Sequence, residues 1–226
     1  IAIDKIKEAI KSKKISQKEI DRRCKKILLA KKWMGLDSIK QIDCRNLVER
    51  INNSEVEFVN RKLIENSLTL LQNYDKLLPL DYLDTLKIAS VSIGENSEYF
   101  TSMLSNYASI QHFTIDKNPD SKLRKDMLDQ LSEYNLVIAS VHQSNENPWK
   151  KHKIERNTDL FLQTLSVQSK VIVTLFSNPY SINDFLFTNN FDGFILAYQN
   201  SRTAQELAAQ SIFGGIRLSG RLPVST

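Results

Sequence analysis

LKIASVSIGENSEYFTSMLSNYASIQHFTIDKNPDSKLRKDMLDQLSEYNLVIASVH, residues 86–142, decides the fold. Three short apolar runs, Lys87–Ile93, Ile110–Ile115 and Leu136–Val141, are rich in Ile and Val and read as strands. The stretches between them, near 97–106 and 120–132, carry apolar residues at helical spacing. A strand, a helix and a strand in that order imply a right-handed crossover and parallel pairing. The run VIASV alternates little, as expected of a strand covered on both faces.

The same rhythm continues to the end of the chain. VIVTLF gives a strand over Val171–Phe176 and FILA another over Phe194–Ala197, with helices near 156–167, 180–187 and 202–213. Asn118-Pro119 and Asn178-Pro179 each read as a cap followed by proline in the first helical turn. The last helix stops at Gly214-Gly215. The predicted class is α/β: a flavodoxin-like, doubly wound, mostly parallel sheet of about five to six strands with helices on both faces, preceded by a helical hairpin.

Upstream, the pattern is helical. Ile3, Ile6 and Ile10 recur at helical spacing, and Ser16-Gln17-Lys18-Glu19 is a capping box that opens a second helix. That helix sets Ile20, Cys24, Ile27, Leu28 and Met34 on one face and ends at Gly35. Cys24 on this apolar face reads as a packed thiol; Cys44 is the other of two cysteines, and neither has zinc-ligand spacing. Residues 36–60 form a linker candidate within which a third helix begins. We place that helix at Glu57–Leu71, stopped by Leu78-Pro79-Leu80. The expected division is 1–35 hairpin, 36–60 linker and 61–226 α/β domain.

The charge is uneven. Residues 1–32 hold twelve Lys and Arg against four Asp and Glu, a net of +8, and the other 194 residues hold nineteen against twenty-two, a net of −3. An anionic partner for the first segment is one reading; a solvated helix face is the plainer one, and no recognition-helix motif accompanies the basic residues. No apolar run approaches the roughly 18 residues that span a bilayer. The chain opens inside a helical pattern without Met, which reads as a fragment of a longer protein.

In a doubly wound sheet, ligands meet the loops beyond the carboxyl ends of the strands. Here those loops are Gly94–Ser97, His142–Asn147, Ser177-Asn178 and Tyr198–Asn200, rich in amides and hydroxyls that suit a neutral polyol. The same residue types also simply make good turns. The substrate-contact candidates are His142, Asn145, Glu146, Asn178 and Gln199. Ser92–Asn96 has one glycine where a dinucleotide loop needs three, and Gly215–Arg221 follows a helix with Arg in place of the phosphate-binding Lys, so both nucleotide motifs are rejected. No nucleophile elbow occurs, and no metal or other cofactor is expected.

The ending FDGFILAYQNSRTAQELAAQSIFGGIRLSGRLPVS, residues 191–225, resembles the end of the α/β-sandwich domain of family 3 glycoside hydrolases, nearest the bacterial β-N-acetylglucosaminidase branch. Ile20-Asp21-Arg22-Arg23 through Ile27-Leu28 to Lys31 is similar to the helix that leads out of that family's (β/α)8 barrel. Ser67-Leu68-Thr69-Leu70-Leu71-Gln72-Asn73 to Leu78-Pro79-Leu80 is similar to the start of its sandwich. Ile88–Gly94, Asn178-Pro179-Tyr180 and Gly220–Ser225 extend the match, and order and spacing together carry the resemblance.

The resemblance implies retaining hydrolysis of β-glycosides by a carboxylate nucleophile and a proton donor. It puts the nucleophilic Asp on an upstream barrel loop, so no catalytic residue is expected in this chain, and the fragment alone is expected to be inactive. In β-glucosidase members the acid is a Glu in the loop after the third strand; His142–Thr158 lacks a recognisable version of it. In N-acetylglucosaminidase members the donor is a barrel His, which favours that reading here. The implied partners are the barrel, a carbohydrate substrate and a further C-terminal domain, with no nucleic acid and no membrane span. A periplasmic or cell-envelope location follows from the resemblance only. A β-glucosidase-type domain and a non-catalytic flavodoxin-like binding module stay open as alternatives.

Overall fold

The computed structural model describes residues 1–38, 43–143 and 153–225. The chain divides into two compact units, Ile1–Asn52 and Asn53–Thr226. The second begins inside the stretch that the sequence reads as a linker.

The first unit contains helices α1 (Ala2–Lys11), α2 (Gln17–Trp33) and the short α3 (Leu47–Ile51). The Ser16 side chain accepts the Glu19 N–H at 3.2 Å, which forms the first half of the expected capping box. The Glu19 carboxylate does not reach back to Ser16. It takes Arg22 in a two-point contact (2.8 Å each) and Arg23 at 2.8 Å, which hold its carboxyl down at about 2. Gly35, at φ +73°, ends the helix in the left-handed conformation predicted for it. Cys24 is free and exposed rather than packed. No described residue of this unit is buried.

The second unit is a three-layer α/β sandwich. Helix α4 (Ser54–Ser67), capped by Asn53, leads into β1 (Thr69–Asn73), an antiparallel edge strand. The sequence reading ran this helix on to Leu71. The correction has a physical cause: α4 stops at Ser67, and Leu70 pairs with Ile195 of β6 while Leu71 falls at the irregularity before Gln72 resumes the pairing. Five parallel strands follow: β2 (Ile88–Gly94), β3 (Ile110–Ile115), β4 (Leu136–His142), β5 (Lys170–Phe176) and β6 (Gly193–Leu196). The sheet order β1-β6-β5-β4-β2-β3 is the flavodoxin-like order with an added edge strand.

Helices α5 (Glu98–Leu104), α6 (Ser121–Leu131), α7 (Arg156–Gln168) and α8 (Arg202–Ile212) cover the sheet. The helix expected near 180–187 is replaced by two 3₁₀ turns, Pro179–Asp184 and Thr188–Asn190. Asn178 does cap the first, accepting the Tyr180 N–H at 3.0 Å, whereas α6 is capped by Asp120 and not by Asn118.

Strict alternation divides the core in two. Val137, Ala139 and Val141 of β4 join Val91, Ile93, Val173 and Leu175 beneath α6 and α7, where Leu131, Phe161 and Leu165 meet them. Leu136 and Ile138 point the other way, with Ile172, Phe176 and Ile195, against Phe100 and Leu104 of α5 and Leu207 and Ile212 of α8. The tail closes over β1. A Cβ on Gly220 would run into the Ser67 and Leu68 carbonyl oxygens, and its N–H donates to the Leu68 carbonyl at 3.0 Å, which accounts for a glycine at that point.

Candidate functional site

The strand order reverses between β2 and β4, so the open crevice of this fold lies at their carboxyl ends, Gly94 and His142, which are partners in register. The backbones approach closely there. Gly94 is at φ +102°, and a Cβ on it would stand 2.7 Å from the His142 carbonyl oxygen.

On the α5/α8 side of the sheet, the residues nearest this edge are polar. Ser92 and Ser140 are register partners whose hydroxyls lie 3.2 Å apart, and Thr174 is the next in the row. All three are fully buried. The Thr174 hydroxyl has no hydrogen-bond partner among the described residues. Beyond Ser140 comes His142, only 1% exposed, stacked on Phe176 at 4.7 Å and edge-on to Phe100 at 6.2 Å.

Its protonation state follows from its neighbours. The Phe100 N–H donates to Gln205 Oε1 at 3.0 Å, so Gln205 Nε2 is the donor end of that amide. Nε2 donates to the Asn96 carbonyl at 2.6 Å and to Asn200 Oδ1 at 2.8 Å. Asn200 Oδ1 is therefore an acceptor, and His142 Nδ1, 2.8 Å away, must carry the proton that it accepts. In the neutral ring Nε2 is then a lone pair 2.9 Å from the Ser140 hydroxyl, whose single proton serves either this nitrogen or Ser92 Oγ. Burial pushes the imidazole down to about 4; the Asn200 bond and Glu98 oppose this, and Lys117 adds to it. One chain of hydrogen bonds thus ties the loops after β2 and β6 to the end of β4.

Of the five predicted contact residues, His142 faces inward with both nitrogens committed to protein partners. Asn178, half-buried, spends its side-chain oxygen as a cap. Gln199 is exposed, beyond a tight turn in which its N–H donates to the Ala197 carbonyl at 2.7 Å around Tyr198, at φ +62°. Asn145 and Glu146 lie outside the described residues. The parent strands β4, β5 and β6 are neighbours, so His142, Asn178 and Gln199 belong to consecutive loops of one edge. Gln199 also lines a cleft of about 520 Å³ with Asn60 and Leu63 of α4, Tyr198 and Arg221. Three amides (Asn60, Asn66 and Gln199), a phenol and a guanidinium around a cleft of that size offer donors and acceptors to a hydroxyl-rich ligand.

Sequence reasoning missed Ser92, Ser140 and Gln205. The available signal was alternation: Ser90, Ser92 and Ser140 fall on the same face as His142 once the strands are in register. Gln205 is a polar residue among the apolar positions Ala204, Leu207 and Ala208 of the last helix. No group of His, Cys, Asp and Glu among the described residues could hold a metal ion. No described helix is long and apolar enough to cross a membrane.

The fold is that of a flavodoxin-like α/β sandwich preceded by a helical hairpin. No protein-family model matches the chain, and no curated protein matches it in sequence. Solved structures do. The chain is similar over 98% of its length to a glycoside hydrolase family 3 β-N-acetylglucosaminidase from a Paenibacillus species, at TM-score 0.60 and 19% identity. It is similar over 92% of its length to a β-glucosidase from Listeria innocua (TM-score 0.60, 18% identity) and over 97% to a β-glucoside phosphorylase (TM-score 0.57, 16% identity). It spans 42%, 32% and 40% of those chains.

Proposed function

We propose that this chain is the C-terminal α/β-sandwich portion, with the last barrel helices, of a retaining β-glycosidase of the β-N-acetylglucosaminidase kind. The observation that carries the reading is the extent of the match. Similarity to a family 3 enzyme takes in 98% of the chain, a length that includes the first helices as well as the sandwich, whereas a flavodoxin-like module alone would match only the sandwich. The 42% share of that relative leaves room for an upstream barrel of ordinary size, which would hold the two groups that retaining hydrolysis needs about 5 Å apart.

In this reading the sandwich buttresses the barrel and presents polar contacts from its carboxyl edge. His142 serves as the positioning residue of that edge: neutral, donating from Nδ1 to Asn200, it holds the loops in place without touching sugar. Gln199, with Tyr198 and Arg221 in the cleft beside it, and Asn178 are the groups offered to hydroxyl-bearing substrate. The lack of a recognisable acid-bearing Glu motif between His142 and Thr158 supports N-acetylglucosaminide over glucoside as substrate; the β-glucosidase reading stands second.

The test is hydrolysis of chromogenic β-N-acetylglucosaminide and β-glucoside by the natural full-length product, with residues 1–226 alone as control. Turnover by the long protein only, faster on the N-acetyl sugar, is expected. Turnover by the 226-residue chain alone would overturn the fragment reading. A long protein inactive on both sugars would leave the fold and favour the binding module.

A further inference from the structure

Helix α2 has two unlike sides. Ile20, Cys24, Ile27 and Leu28 follow one another at three- and four-residue steps and form an ordinary packing stripe. On the opposite side Lys18, Arg22, Lys25, Lys26, Leu29 and Trp33 are linked by the same steps. Trp33 is 85% exposed and Leu29 56%, so a large aromatic and an aliphatic side chain continue the basic face at its C-terminal end. Among the described residues Lys18, Lys25 and Lys26 form no ion pair, and Arg22 is held by Glu19. Burying unpaired ammonium groups beneath another protein surface is costly. That side therefore stays open to solvent whatever covers the Ile20–Leu28 stripe, and Trp33 and Leu29 stay open with it.

We infer that this face of α2 binds an anionic lipid surface. The lysines supply point charges on long apolar stems that bend toward headgroups, while Leu29 and Trp33 form a wedge of the kind that enters the boundary between headgroups and acyl chains. A second copy of the chain is disfavoured by like charge. Nucleic acid fits less well, because the one guanidinium on this face is already taken up in a two-point contact with Glu19 at 2.8 Å, leaving no free fork for phosphate.

The chain contains two tryptophans, so Trp149→Phe makes Trp33 the sole indole reporter. This variant of the full chain is titrated with vesicles of phosphatidylcholine containing one-third phosphatidylglycerol, with pure phosphatidylcholine vesicles, and with single-stranded DNA. The expected result is a blue shift of Trp33 emission and co-sedimentation with the anionic vesicles only, weakening as salt is raised. Lys25→Gln with Lys26→Gln should weaken binding roughly 25-fold, about fivefold per lysine, with the helical signal intact. Trp33→Ala should weaken it while leaving the salt dependence in place.

Three results would each overturn the inference: no shift on anionic vesicles, equal binding to neutral vesicles, or tighter binding to DNA than to anionic vesicles. The inference does not depend on the glycosidase reading. A full-length protein that hydrolyses glycosides but ignores vesicles sinks this inference alone, and one that binds vesicles without turnover sinks only the other.

Discussion

The two units of this molecule are built from opposite kinds of information. Residues 1–52 form helices whose visible supports are all local: the Ser16 cap, the Glu19–Arg22–Arg23 cluster, the left-handed Gly35, and not one buried side chain among the described residues. Residues 53–226 contain two apolar clusters assembled from strands far apart in sequence. A helix can be specified by its own residues, yet its stability in a protein comes mostly from packing an amphipathic face. The first unit has the specification without the packing; the second has both.

The sharpest way to break the comparison is at a core aromatic. Phe161 of α7 is fully buried, and Phe161→Ala should cost the second unit about 4 kcal/mol through lost burial and a cavity. Ile27→Ala on the exposed stripe of α2 should change unfolding by less than about 0.5 kcal/mol. Denaturant unfolding of the two variants decides this; comparable losses would mean that the hairpin is as firmly packed as the sheet.

Acid should also separate the units. His142 is held near 4 when folded and returns to its ordinary 6.5 when unfolded, so the unfolded chain binds the proton more tightly. The stability this group confers is complete above pH 6.5 and falls as pH drops toward 4. The expected loss from this group is about 3 kcal/mol between pH 7 and pH 4. A pH series of unfolding midpoints for the wild type and His142→Gln reads it as the difference in slope, and parallel slopes would refute it.

The smallest effect lies in the hairpin. Ser16→Ala removes the cap on α2 and should cost that helix about 1 kcal/mol. Amide exchange in the first turn of α2 should quicken while the unfolding midpoint of the sheet unit stays put. A shift in that midpoint would show that the two units are coupled.

Much of the sandwich was legible because its signals are local. Strands β2 to β6 fall within a residue or two of where their apolar runs placed them, and Asn178 and Gly214 act as cap and stop as read. The errors have a common form. Leu70 and Leu71 were assigned to a helix because their spacing fits one, and only the pairing of Thr69, Leu70, Gln72 and Asn73 with β6 makes this stretch a strand. Residues 180–187 were read as a helix but form short 3₁₀ turns. At the carboxyl edge, the sequence pointed to His142 as a group facing ligand. The structure turns it inward, where it stacks on Phe176 of β5 and its Nε2 meets Ser140 of its own strand.

The sequence by itself determined the order of elements, the parallel character of the sheet and the polar nature of its carboxyl edge, because periodicity, caps and turn chemistry act over a few residues. Only the tertiary structure decided that β1 joins the sheet antiparallel and that Gln205 fixes the proton of a histidine 63 positions earlier on Nδ1. Each of those depends on which groups meet across the fold and on what water is excluded from, and neither is encoded at any single position.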